Sequence, residues 1–187
     1  MSELSHVDGD GRARMVDVSA KADSARTAVA AGELRTTPEA VAILSAGNAR
    51  SSEILATARL SGIIAAKRTS ELIPLCHQLA LSAVTVEFEF REGVVAIEAT
   101  AKTCGPTGVE MEALTAVTVA GLNLNYMLKA VAPASTLDAI RLLTKDGGKS
   151  GSWVRSDPSA LSSAPHGSLI QLHDAGSRAL PLYDSTK

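Results

Sequence analysis

Apolar and polar residues alternate over Ala83–Phe90, "AVTVEFEF", and again over Val94–Lys102, "VVAIEATAK". That period of two is the mark of strands with one buried face, and the short Gly-containing link "REGV" closes them into an antiparallel hairpin. Met15–Ser19, "MVDVS", alternates in the same way and predicts a strand, with "ARTAVA" from Ala25 as a candidate partner. Three other stretches carry helical spacing. "PEAVAILSAG" opens on Pro38 and closes on Gly47, residues suited to a first turn and to a C-terminal cap. "NARSSE" then reads as a polar loop. Ile54–Leu72 is rich in Ala and Leu at helical spacing and is stopped by Pro74. A third helix starts at Thr107 or Gly108 and runs to Lys129. After Pro133, "DAIRLLTK" predicts a last strand leading into "DGGKSG". Strands and helices mixed around an antiparallel hairpin predict an α+β fold, a ferredoxin-like antiparallel sheet packed on helices. Residues 1–155 form a single domain in this reading. From 156 to 187 the composition turns to Ser, Ala, Pro and Gly, which predicts a mobile tail.

The third helix is unusual in its polarity. Sixteen uncharged residues separate Glu112 from Lys129, with Ala, Leu, Val and Met on every face. Glu110 and Glu112 in the first turn and Lys129 in the last suit the helix dipole, which is one explanation of their placement. An all-round apolar helix, however, is buried all round. One layer of sheet covers one side, so the other side is expected to meet a second copy of the chain. At 1.5 Å per residue the two charged ends lie about 25 Å apart, too far to share a small-molecule site within one helix. Two such helices packed antiparallel across a two-fold axis would set the glutamate end of one beside the lysine end of the other.

Composition narrows the function. The 187 residues are 45% hydrophobic and 20% charged, with net charge −2, as in an ordinary single-domain globular chain. No basic footprint points to nucleic acid or an anionic membrane surface, and the uncharged run is too short and too polar to span a bilayer. The first residues have no apolar leader-like region, and two cysteines, Cys76 and Cys104, fit a cytoplasmic protein without a disulfide framework. Cys76 and His77 stand together without further ligands at metal spacing, so neither a metal nor a cofactor is expected. A lone histidine such as His77 after a proline is more often structural than catalytic. "DGGKSG" lacks the upstream glycine and the following helix of a phosphate loop. Lys149, flanked by glycines, is either a solvated turn residue or a cation set among backbone N–H groups, a combination that suits phosphate.

Taken together, "ARMVDVSAK", "ATARLSGIIAAKRTSELIPLCHQL", "TGVEMEALTAV" and "GGKSG" resemble, in order and spacing, the cyclic pyranopterin monophosphate synthases of molybdenum cofactor biosynthesis, from about residue 5 to 153. The resemblance implies a ferredoxin-like subunit in a homohexamer built of dimers, with active sites at the dimer interface. It also implies a lyase reaction, in which 3′,8-cyclised dihydro-GTP becomes cyclic pyranopterin monophosphate and pyrophosphate is released. By motif, Leu75, Cys76, His77, Met111 and Glu112 would hold the substrate, with Glu110 beside them. Lys67 and Lys149 would meet the triphosphate, and Lys129 would be the catalytic lysine. Where the family pattern reads "DMxKAV" this chain reads "YMLKAV", so Tyr126 occupies the place of an active-site aspartate. Ser51 aligns with a family lysine, next to Arg50; "CHP" has become "CHQ" at Gln78; and Pro106 stands where a basic residue is usual. A phenol donates a hydrogen bond but is no ready base at neutral pH. The alternative function is therefore a catalytically impaired paralogue that binds a nucleotide or pterin, or that serves as a hetero-oligomer subunit.

Overall fold

In a computed structural model, which describes residues 5–149 and 151–156, the two alternating segments form the predicted hairpin, β2 (Leu81–Arg91) and β3 (Val94–Gly105). Before them come β1 (Ser24–Arg35), α1 (Pro38–Ser45), α2 (Ala49–Lys67) and the single turn α3 (Thr69–Leu72). After them come α4 (Glu110–Leu128), β4 (Thr136–Asp146) and the short β5 (Trp153–Val154). The sheet runs in the order β2-β3-β1-β4-β5, every pair antiparallel. An α+β, ferredoxin-like arrangement results, with α2 and α4 laid against one face. Among the described residues no helix is long and apolar enough to cross a membrane.

Local chemistry sets the helix starts. Thr37 accepts the N–H of Ala40 through its hydroxyl, and Pro38 occupies the first turn, a cap worth about 0.5–2 kcal/mol. Asn48 does the same for α2, its Oδ1 accepting the Ser51 N–H at 3.0 Å while the Ser51 hydroxyl donates to the Asn48 carbonyl at 2.9 Å. "NARSSE" is therefore a capped helix start rather than a loop. A polar first turn looks like a loop because its side chains are spent on orphan backbone groups. The same helix stops at Lys67, short of the predicted Leu72, where the hydroxyl of Thr69 turns back to the carbonyls of Ala65 and Ala66.

The core lies between the helices and the inward residues of the sheet: Ala28, Ala30 and Leu34 on β1, and Val95, Ile97, Ala99 and Ala101 on β3, all buried. Against them α4 sets Ala113, Ala116, Val117, Ala120 and Leu124. Small residues let the two long helices approach closely. A Cβ on Gly62 would stand 2.8 Å from the Ala116 carbonyl oxygen of α4, so only glycine fits at that crossing. On the far face of the sheet Arg35 pairs with Asp138 at 2.9 Å and Glu33 at 2.8 Å.

One further expectation needs correction. Met15–Ser19 is not a strand; that stretch is an extended arm outside the sheet, and β1 begins only at Ser24, extending "ARTAVA" at both ends. Within one chain one side of α4 packs on the sheet, while Leu122 (54% exposed), Tyr126 (64%) and Met127 are exposed, as are Leu60 and Ile64 of α2. The expected tail lies outside the described residues, apart from Ser156.

Candidate active site

Two cavities meet at the N-terminal end of α4. The smaller, about 320 Å³, is lined by Leu75, Cys76 and His77 from the loop after α3 and by Glu110, Met111 and Glu112 from the first turn of α4. The fold thus brings together all six residues marked from the two motifs as substrate-binding. The larger cavity, about 740 Å³, is lined by Lys21, Arg26, Lys145 and Lys149, with Asp23, Asp146 and Glu110 among them. Glu110, Thr107 and Gly108 belong to both walls, so the cavities form one continuous depression with an acid–base end and a basic end.

The acid–base end is built on burial. Glu112 is 4% exposed. Burial lifts its carboxyl from 4.5 to about 7; a backbone hydrogen bond within its own residue opposes the rise, and the charge on Glu110 adds to it. Burial first and Glu112 second push the Cys76 thiol upward, which keeps it a neutral wall group rather than a thiolate. Nε2 of His77 lies 2.8 Å from the Val16 carbonyl oxygen. A carbonyl only accepts, so this nitrogen donates, and a neutral ring then presents Nδ1 as an acceptor.

The basic end is organised by the turn that enters α4. Arg26, on β1, donates from Nε to the Gly105 carbonyl at 2.9 Å and from Nη2 to the Pro106 carbonyl at 3.0 Å. Lys145, on β4, reaches Glu110 at 3.1 Å. Gly147 (φ +98°) and Gly148 (φ +71°) turn the chain in a left-handed conformation that brings Lys149 to the same wall. Lys21, Arg26 and Lys145 were not legible as site residues. Arg26 and Lys145 sit inside strand patterns, and nothing local marks them as facing the N-terminus of a distant helix.

The remaining candidates lie elsewhere. Lys67, exposed at the C-terminal end of α2, lines neither cavity. Tyr126 and Lys129 are at the opposite end of α4, with the Lys129 ammonium 4.1 Å from the centroid of the Tyr126 ring. Beside them a third cavity of about 340 Å³ is lined by Met127, Leu128 and Val131 with Arg50 and Glu53. Ser51 is buried in the cap of α2, and its neighbour Arg50 is exposed and lines this cavity. Among the described residues no three His, Cys, Asp or Glu side chains are grouped to hold a metal ion.

Known proteins resemble this chain over most of its length. The model of the MoaC family matches residues 15–148. Cyclic pyranopterin monophosphate synthase 2 of Mycobacterium tuberculosis is 56% identical over 153 residues, covering 82% of this chain and 92% of the relative. The cyclic pyranopterin monophosphate synthase of Roseiflexus sp. is 53% identical over 156 residues, 82% of this chain and 99% of the relative. That of Thermomicrobium roseum is 50% identical over 162 residues, 86% and 98%. With a family match across most of its folded length and relatives at half identity or more over nearly their full length, the chain belongs to the MoaC family.

Proposed function

We propose that the chain is a lyase of molybdenum cofactor biosynthesis that converts 3′,8-cyclised dihydro-GTP to cyclic pyranopterin monophosphate, releasing pyrophosphate. The observation that carries this reading is the pair of joined cavities. One end offers Lys21, Arg26, Lys145 and Lys149 to a triphosphate, for which ammonium and guanidinium groups are the natural partners. The other offers His77 and Glu112 to the purine-derived ring. A carboxyl titrating near 7 both takes and gives a proton at neutral pH. The names of the relatives support the lyase over the impaired paralogue.

Leu75, Cys76, His77, Glu110, Met111 and Glu112 hold the ring in this account, and Lys149 meets the phosphates. Lys67, exposed at the end of α2, reaches the triphosphate only through a neighbouring copy. Lys129 is the catalytic lysine and comes from a second subunit, because α4 keeps its two charged ends about 25 Å apart. What supports this is the uncovered apolar side of α4 and α2, Leu122, Met127, Leu60 and Ile64, a surface of the kind that packs across a two-fold axis. A homohexamer built of dimers, with sites at the dimer interface, is the assembly proposed. Tyr126 holds the Lys129 ammonium over its ring face. A cytoplasmic setting fits the free thiols Cys76 and Cys104.

Incubating the purified chain with the cyclised GTP intermediate tests the reaction. Cyclic pyranopterin monophosphate and pyrophosphate should form in equal amounts; a chain that binds the intermediate and leaves it unchanged would be the paralogue instead.

A further inference from the structure

We infer that the N-terminal arm is a wall of the ligand site and that His6 on it is a further ligand-contacting residue, an inference that rests on the function proposed above. The arm belongs to no strand of the sheet, yet its course is fixed at several points. Val7 and Ala13 pair as an antiparallel bridge. Asp8 holds the turn between them, its Oδ1 accepting the N–H of Asp10 at 3.0 Å and of Arg12 at 2.8 Å. The Arg14 N–H donates to the His6 carbonyl at 2.9 Å. Two residues further on, the Val16 carbonyl is the partner of His77. A catalytic-loop histidine therefore fastens the arm, and the arm folds back so that His6 lines the smaller cavity with Cys76, His77 and Glu112 while Ser5 lines the larger one.

The chemistry of the small cavity gives this placement a purpose. Leu75, Leu79 and Met111 offer apolar contact, Glu112 offers its carboxyl, and the His77 ring, its Nε2 held by the Val16 carbonyl, offers only Nδ1. An imidazole delivered from a separate segment adds a donor, an acceptor and a flat face, which matches a heteroaromatic ring with a polar edge. His6 is exposed and carries none of the core, so replacing it tests the contact rather than the fold.

The test uses the full chain and its His6→Phe and His6→Gln variants with the cyclised GTP intermediate. A lost hydrogen bond in a site with charged groups corresponds to roughly a tenfold effect. His6→Phe should raise KM about tenfold with kcat little changed, the pattern of lost binding common to ground and transition states, and His6→Gln should recover most of the loss. Separately, acylation of His6 by diethyl pyrocarbonate, followed by mass spectrometry, should be slowed by guanosine triphosphate. An unchanged KM in His6→Phe overturns the assignment and leaves the lyase reading intact. Should the wild-type chain make no product, the lyase reading falls, and acylation that the nucleotide does not slow then overturns the role of His6 as well.

Discussion

Burial lifts Glu112 to about 7 from an ordinary 4.5, and the sign of the consequence for stability follows from which state holds the proton. Below about 4.5 both folded and unfolded chains carry it. Between 4.5 and 7 the folded chain still holds it while the unfolded chain has released it, so stability falls as pH rises through that window and levels off above it. Glu112→Gln, neutral throughout, should therefore gain on the wild type between pH 5 and pH 8 in thermal melts, while losing about 10²–10⁴-fold in turnover as a positioned acid–base group is removed. Melting curves that keep a constant offset across that range would show a solvated carboxylate. Tyr126 makes a different residue-scale prediction. A ring face beneath an exposed ammonium is worth roughly 0.5–1 kcal/mol, about two- to fivefold in any step that needs Lys129 in place. Tyr126→Phe keeps the face and should keep turnover, whereas Tyr126→Ala should lose that factor. Equal losses in both would assign the role to the hydroxyl.

At the scale of elements, the close approach of α2 and α4 depends on Gly62. Gly62→Ala would improve helix propensity, but its Cβ would meet the Ala116 carbonyl oxygen, a backbone atom that moves only with its helix. The strain should win, lowering stability by about 1–3 kcal/mol in denaturant titration; a stabilised variant would mean that the helices separate freely. How far these elements were legible depends on what each segment spends its polar groups on. The β2–β3 hairpin was plain because one face is buried and the other is not. The start of α2 was hidden because Asn48 and Ser51 bond to the helix terminus, and such residues look like loop. "MVDVS" mimicked a strand because an arm laid along a surface also alternates. For the site, the motifs holding Cys76, His77, Glu110 and Glu112 stood out as chemistry-bearing residues in odd places. Arg26 and Lys145 did not, since strand pairing alone decides that β1 and β4 carry them to the turn before α4. His6 gave no local signal at all.

At the scale of the molecule, the outer side of the helix layer is where the proposed assembly is tested. Leu122→Glu places a charge on a surface that is 54% exposed in the single chain and central to the proposed interface, where an unpaired buried charge is costly. Light scattering should show the wild type as an even-numbered oligomer and the variant as a smaller species of unchanged secondary structure. A wild-type monomer at micromolar concentration would overturn the assembly. The length of α4 carries one more consequence. Because Glu112 and Lys129 stand at opposite ends of one rigid rod, a chain crippled at one end still carries an intact other end. If each site borrows one end from each of two subunits, unfolding Glu112→Gln and Lys129→Ala chains together and refolding the mixture would pair them at random. In mixed dimers one site would inherit both lesions and the other neither, so about a quarter of all sites would be whole. Two inactive proteins would then yield an active one, recovering about a quarter of the wild-type rate, and a mixture as inactive as its parts would place each site within a single chain.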